Sequence, residues 1–279
     1  MALLADGTRI EIRRQAENLR AKFEAVCDVV AVDFEFAAEP AGLDVEFVVV
    51  LGGDGSILRA ARHMGDRQRP VLGVNLGKLG FLADVSPRGL DKVLGDIAAG
   101  RYRIVDHLMY QCTLVRQGQV IREELGLNEV AVVAGPPFSI VEVQLYVDSE
   151  LVTTYSCDGL IVSTPVGSTA HSLSAGGPIL RKSLQAFVIS PISPHTLTNR
   201  PVVDSAEWIY ELAVPRPHEG TSLVVDGQML ASIGPDDRIR IQKADATFQL
   251  VEVEGHGYYR TLREKLGWGG RLRDSEQNR

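Results

Sequence analysis

FVVVLGGDGSILRAARHM, residues 47–64, reads as one strand, one turn and one helix. Phe47 to Leu51 is apolar at every position, the pattern of a strand buried on both faces. Gly52-Gly53-Asp54-Gly55-Ser56 breaks the run, and a helical pattern follows to Met64. A doubly buried strand feeding directly into a helix is the unit of a parallel sheet covered by helices. In such a sheet, ligands bind beyond the carboxyl ends of the strands, where this turn lies. Glycines there remove the Cβ atoms that hold a phosphate or ribose away from the backbone. The helix behind them aims free N–H groups and partial positive charge at the same point. Asp54 is the anomaly, because a carboxylate at that place repels phosphate. It makes sense as a general base for a hydroxyl attacking phosphorus, or as a ligand to Mg²⁺. The plainer alternative is an Asp that only caps the helix.

The same alternation extends on both sides. Residues 11–25 keep a helical period, with Ile12, Ala16, Leu19 and Phe23 on one face, and Val29–Val32 and Val71–Val74 read as further strands. Ala2 to Leu4 reads as a stub of strand. We expect a Rossmann-like α/β domain over residues 1–106. From about Tyr110 the texture changes to short strands separated by turns. Tyr110–Val115 and Val120–Glu124 flank a Gln117-Gly118 turn. Val130–Val133, Ile140–Val147, Val152–Tyr155, Leu160–Val162, Phe187–Ile189, Trp208–Val214, Leu223–Val225, Arg238–Gln242 and Phe248–Val253 follow. This predicts an all-β, sandwich-like domain over 107–254. Residues 255–279 return to helical character in YYRTLREKLGW; the pattern fits packing on either half, and we expect the N-terminal one. The end, Arg271 to Arg279, is polar enough to fray.

Composition narrows the function classes. The 279 residues carry a formal net charge of −7, which argues against a nucleic-acid binder that relies on phosphate neutralisation. A local site or a bound cation still admits an anionic small ligand. No stretch is long and apolar enough to span a bilayer, and no basic-then-apolar leader opens the chain. Cys27, Cys112 and Cys157 are widely spaced, form no metal pattern, and read as small buried hydrophobes in a reducing, cytoplasmic compartment.

A second stretch, DGLIVSTPVGSTAHSLSAGGPIL from Asp158 to Leu180, abandons its apolar period after Val162. Ser163, Thr164, Ser168, Thr169, Ser172 and Ser174 follow before Gly176-Gly177-Pro178. Any one of these hydroxyls could be a helix cap. Together they read as a surface for a polar ligand.

Gly-Gly-Asp-Gly-Ser/Thr occurs in sugar-phosphate kinases, in lipid kinases and in NAD kinases, all of which phosphorylate a hydroxyl. Further motifs single out one of the three. Gly52–Arg62 and GVNLGKLGFL at 73–82 resemble the N-terminal domain of the NAD kinase family. Asn128-Glu129, the Asp158–Leu180 block, PHTLTNRP at 194–201, Val225-Asp226-Gly227-Gln228 and the ending LREKLGW at 262–268 resemble its C-terminal domain. The resemblance runs from about Arg13 to near the end, in family order. It implies Mg²⁺-dependent transfer of a phosphoryl group from ATP or polyphosphate to the adenosine 2′-hydroxyl of NAD. Asp54 would be the base, with Gly52, Gly53, Gly55 and Arg59 toward phosphate. Gly55, Asn128, Glu129 and Asp158 would contact NAD, Asp158 from a neighbouring subunit of a homodimer or homotetramer. Thr169, Ala170, His171, Ser172, Leu173 and Ser174 would line the adenosine pocket and Gln228 complete it. His195 and Arg200 would organise a loop, and Lys78 would lie in a polar one. No residue is assigned as a protein-borne metal ligand, and the chain has no lysine-bearing Walker loop.

Three positions depart from the family pattern. His171 stands where the family has Tyr, giving a smaller stacking face and an imidazole that can titrate near neutral pH. Met1–Thr8 lacks the family's longer first strand and Asn-Pro turn. Ser156 replaces a cation that some relatives carry. Two other functions compete: an idle NAD-binding sensor, which would need no base at Asp54, and a lipid or sugar kinase sharing only the glycine turn, which would need neither Asn128-Glu129 nor 169–174.

Overall fold

The computed structural model describes residues 1–36, 42, 44–77, 79–136, 140–196, 199–254 and 258–267. Lys78, the Leu197-Thr198 part of the 194–201 motif, Trp268 and the expected frayed end lie outside them. The chain forms two compact units, Met1–Met64 with Arg69–Val105 and Gln249–Arg279, and Gly65–Gln68 with Asp106–Phe248.

In the first unit the apolar runs become the strands β1 (Ala2–Ala5), β2 (Ala31–Asp33), β3 (Val48–Gly52) and β4 (Val71–Asn75). They are parallel, in the order β2-β1-β3-β4. The helices are α1 (Ile10–Glu24), α2 (Asp54–Met64) and α3 (Leu90–Ala98). Ile12, Ala16, Leu19 and Phe23 of α1 pack with Leu3, Val49, Leu51, Leu72 and Val74 of the sheet, as their spacing predicts. Two readings are corrected. The N-terminal strand is no stub: all four residues of β1 are buried and pair with β2 on one side and β3 on the other. Helix α2 starts at Asp54, three residues earlier than read, because the Gly53 carbonyl accepts from the N–H groups of Ser56 and Ile57. Helix α3 escaped the sequence reading although Leu90, Val93 and Leu94 carry its i, i+3, i+4 signature.

The second unit is built on two antiparallel sheets. Strands β5 (Tyr102–Arg116) and β6 (Gln119–Gly126) form the expected hairpin. Next come β7 (Glu129–Val133), β8 (Val141–Val147), β9 (Glu150–Cys157), β10 (Gly159–Ser163), β11 (Ala186–Ile192), β12 (Val202–Ser205), β13 (Tyr210–Ala213), β14 (Ser222–Val225), β15 (Gln228–Ser232) and β16 (Asp237–Val253). One sheet has the order β12-β11-β10-β7-β14-β15, and in the other β13 joins β8-β9 to β16. Alternate residues of both, among them Tyr110, Val143, Leu160, Phe187, Tyr210, Leu223 and Ile239, meet in one core. A short 3₁₀ turn (Gly167–Thr169) and α4 (His171–Ser174) follow β10. The sequence splits β16 in two at the polar residues 243–247. The strand in fact runs through them, since weak hydrophobicity does not prevent an extended backbone, and its Leu250 pairs with Val71 in the first unit. Strands β12 and β15 were not foreseen, and Trp208 lies ahead of β13, half exposed. The helix α5 (Tyr258–Leu266) belongs to the first unit, as expected.

Candidate active site

In the first unit the site grows from the β3–α2 turn. Asp54 is not a helix cap of the usual kind, because its carboxylate reaches across to the loop after β4. Oδ2 accepts the Phe81 N–H at 2.7 Å, and Oδ1 accepts those of Leu82 and Ala83 at 2.9 and 3.0 Å. Asn75 holds that loop in shape: its Oδ1 accepts from Gly77 N–H and its Nδ2 donates to the Ala83 carbonyl. Gly80 is obligatory here, since a Cβ would collide with Asp54 Oδ1 and the Ala83 carbonyl. Gly52 has a similar internal reason, with Ser56 Oγ in the place of its would-be Cβ. Gly53 and Gly55 have none: a Cβ at either meets nothing within 4 Å, and neither has a positive φ. Their bareness is not required by the fold.

A carboxylate offers about four lone-pair directions. Three are taken by N–H donors, so the free one is on Oδ2, on a side chain that is 30% exposed. The Lys265 ammonium on α5 stands 3.9 Å from that oxygen and 4.0 Å over the Phe81 ring. Arg59, read as a phosphate residue, has other commitments. It donates to the Glu35 carbonyl at 2.9 Å, lies over the Phe36 ring and faces Asp6 at 3.9 Å. Hydrogen bonds from Thr8, aided by Arg59 and Arg9, hold the Asp6 carboxyl below its ordinary range against its partial burial.

In the second unit Asn128 and Glu129 open β7 and are fixed by Asp226. Asp226 and Gly227 have φ +46° and +75°, a left-handed pair suited to a tight hairpin between β14 and β15. The turn sends the Asp226 carboxylate back onto β7. Its oxygens accept the N–H groups of Leu127, Asn128 and Glu129 at 3.0, 2.8 and 3.1 Å and the Tyr110 hydroxyl at 2.8 Å. The Tyr110 hydroxyl also donates to the Glu129 carbonyl, and burial keeps it protonated. Glu129 is buried, and its Oε2 has no hydrogen-bond partner among the described residues. Burial, reinforced by Asp226, pushes its carboxyl up to about 8, with the His171 N–H pulling the other way. The sequence reading gives Asp226 a place in a motif but no role, and it does not single out Tyr110 as a site residue. The Asp-Gly hairpin signal was available, but not the inward aim of its side chain.

The hydroxyl-rich stretch divides. Ser163, Thr164, Ser168 and Ser172 are fully buried. Ser163 donates to the Asn128 carbonyl, Thr164 to that of Leu127 and Ser168 to that of Pro165, while Ser172 pairs with Ser190 at 3.0 Å. All four hydroxyls thus hold the backbone or one another within the fold, Ser172 of the expected pocket set among them. Gly167 packs against the Asn128 carbonyl, leaving no room for a Cβ. Thr169 and Ala170 are half-buried, Leu173 likewise, and His171 and Ser174 are exposed. Gln228 is exposed at the start of β15. Asp158 and His195 are both about half exposed and face each other at 3.7 Å. Arg200 donates to the Asn199 carbonyl. The three cysteines are free thiols; burial raises Cys112 to about 12 and Cys157 to about 11, so both serve as apolar filling. Among the described residues no group of three or more His, Cys, Asp or Glu side chains could hold a metal, and no helix is long and apolar enough to cross a membrane.

Comparison with known proteins bears on both units. Residues 10–102 match the family model of the ATP-NAD kinase N-terminal domain, and 127–253 that of the ATP-NAD kinase C-terminal domain. A NAD kinase of Rhodopirellula baltica is 50% identical over 272 residues, 98% of this chain and 88% of that protein. The chain belongs to the ATP-NAD kinase family. A NAD kinase of Geotalea daltonii is 42% identical over 81% of this chain and 80% of its own length. Among solved structures, a NAD kinase from Archaeoglobus fulgidus in complex with ATP has a TM-score of 0.74 and 29% identity, over 95% of this chain and 97% of that one. The yeast NADH kinase complexed with NADH, at 22% identity, shares the fold, with a TM-score of 0.79 over 99% and 90%. Every motif read as NAD kinase-like, apart from the ending LREKLGW at 262–268, thus falls within a matched region.

Proposed function

We propose that this member of the NAD kinase family phosphorylates NAD on its adenosine 2′-hydroxyl with Mg·ATP, and that Asp54 is the general base. The observation that carries the reading is the Asp54 carboxylate itself, pinned by three backbone N–H groups with one lone pair of Oδ2 left open beside two glycines that the fold does not need. Pinning sets direction: the oxygen cannot rotate away from an incoming hydroxyl. As the 2′-oxygen bonds to the γ-phosphorus, its proton passes to Asp54 Oδ2, and the bond to the β-phosphate oxygen breaks with its electron pair leaving on ADP. A positioned base contributes roughly 10²–10⁴-fold to such a step. Asn128, Glu129 and the exposed or half-buried positions 158, 169–171, 174 and 228 would bind the dinucleotide. Ser172 would support that surface from beneath.

The donor set suits a metal that arrives on the donor phosphates. Mg²⁺ commonly takes one or two carboxylates and completes its shell with phosphate oxygens and water, and the described residues offer no protein cage. Bound there, it would neutralise charge on the phosphate chain. ATP is favoured over polyphosphate by the ATP complex of the Archaeoglobus relative. The free thiols agree with a cytoplasmic setting. We also infer a homo-oligomer, supported by an open apolar groove of about 560 Å³ between the edge strands β9 and β12, lined by Leu151, Val152, Val202 and Trp208.

The test is NADP formation from NAD and Mg·ATP by wild type and Asp54→Asn. We expect a loss of at least ~10²-fold in kcat with NAD binding retained. Thermal unfolding of the variant must be followed alongside, because the new amide would present its NH₂ to N–H donors. NAD binding with no turnover from ATP or polyphosphate would favour the sensor, and turnover of a lipid or sugar in a substrate panel would favour the other kinases.

A further inference from the structure

A kinase without a Walker lysine must find a cation elsewhere for the transferred phosphate, and the cation expected from sequence, Arg59, is spent on Glu35, Phe36 and Asp6. Lys265 is placed differently. Its ammonium is held over the Phe81 ring at 4.0 Å, and Phe81 is the residue whose N–H donates to Asp54 Oδ2. One loop residue thus positions the carboxylate and the cation together. The ammonium stands 3.9 Å from Oδ2, within ion-pair reach but beyond hydrogen-bond distance. None of its three donors is spent on that carboxylate. The side chain is 27% exposed, so part of it faces solvent at the mouth of the glycine turn.

We propose that Lys265 is a phosphate-contacting residue, the cation that meets the oxygens of the transferring phosphoryl group at the Gly52–Gly55 turn. The assignment rests on the kinase reading above. An ion pair this exposed is weak, so exchanging the carboxylate for a phosphate oxygen costs little. The exchange also follows the chemistry. As Asp54 accepts the proton of the attacking hydroxyl it loses its charge, and the neighbouring ammonium is released to the phosphoryl oxygens. The ring of Phe81 keeps the ammonium in place meanwhile. The competing account is that Lys265 only docks α5 onto the first unit.

The experiment compares full-length wild type, Lys265→Met, Lys265→Gln and Lys265→Arg. It measures kcat, KM for Mg·ATP, NAD affinity, thermal unfolding, and binding of two non-reacting probes, β,γ-imido-ATP and inorganic tripolyphosphate. Loss of one preorganised donor at a reacting group costs roughly 10²–10³ in kcat; for a partly exposed lysine we expect roughly 10–10²-fold. Probe affinity should fall about tenfold, NAD affinity should stay within about twofold, and Arg should restore most of both. The glutamine variant keeps the test open if methionine disturbs folding. Unchanged kcat and probe affinity in the neutral variants, whatever their melting temperature, would overturn the assignment and leave docking as the role. The two readings fail separately. Wild type that binds the probes through Lys265 yet makes no NADP refutes the NAD kinase reading alone. Normal NADP formation with indifferent variants refutes Lys265 alone.

Discussion

Glu129 shows what a single buried carboxyl does to the molecule. Its folded-state value of about 8 lies above the ordinary 4.5, so the folded chain keeps the proton at neutral pH while the unfolded chain releases it. Its contribution to stability is therefore complete below about pH 4.5 and is lost as pH rises toward 8, at no more than about 1.4 kcal/mol per pH unit. Glu129→Gln cannot ionise, so in ligand-free urea unfolding its advantage over wild type should grow from pH 5.5 to 8 and then level off. A difference that does not change with pH would contradict this. The groups facing Glu129 are Asp226, Tyr110 and the His171 N–H. His171 itself is exposed, and we expect its smaller ring to bind NAD more weakly than a tyrosine there would. Comparing Kd for wild type and His171→Tyr tests it; equal affinities would sink the idea. At this scale the sequence was legible in where it put Asp54 and Asn128-Glu129, at the ends of strands β3 and β7. It was read poorly where a side chain works from across the fold. The bond from Asp226 to Asn128 spans 98 positions, and nothing local marks it.

The β3–α2 turn makes the same point for an element. Strand, turn and helix were legible because each is local: a doubly apolar run, glycines, a helical period. The partner of the turn was not, since the loop that pins Asp54 lies 27 to 29 residues downstream. Motif reading also treats the glycines alike, whereas their surroundings separate them. Gly80→Ala would drive a Cβ into Asp54 Oδ1 and toward the Ala83 carbonyl, 2.9 Å away. It should cost about 1–3 kcal/mol by unmaking partly buried, charge-assisted hydrogen bonds and lower kcat by displacing the carboxylate proposed as the base. Gly55→Ala meets open space inside a helix, where Ala is favoured over Gly by about 0.5–1 kcal/mol. It should raise the melting temperature and still weaken binding of Mg·ATP or NAD, because the new methyl occupies space left for the ligand. Equal melting temperatures and equal KM values for Gly55→Ala and wild type would show that this glycine has no ligand to admit. Strand β16 is the converse case, where a local dip in hydrophobicity over 243–247 hid a continuous strand, since pairing partners and not local apolarity keep it extended.

For the whole molecule, the open question of assembly has a physical handle. Val152 and Trp208, 56% and 48% exposed, line the groove with Asp148, Glu150 and Asp204, between β9 and β12, which among the described residues are sheet edges. An apolar, edge-strand surface left to water is an aggregation hazard that soluble proteins cover. A second copy covers it most economically, because a strand edge related to itself by a two-fold axis is self-complementary. The expected solution mass is then a multiple of 30.4 kDa. Val152→Lys and Trp208→Glu place charges in the groove, and since both side chains are half exposed within the chain, the fold should tolerate them. Together they should bring the mass down to one chain with an unchanged far-UV circular dichroism spectrum. The activity of that monomer then decides what the assembly is for. If NAD affinity falls while the single chain stays folded, a neighbouring subunit completes the dinucleotide site, as expected for Asp158. If affinity holds, Asp158 serves its own chain through His195, 3.7 Å away. Sedimentation of wild type at 30.4 kDa across micromolar concentrations would remove the premise altogether.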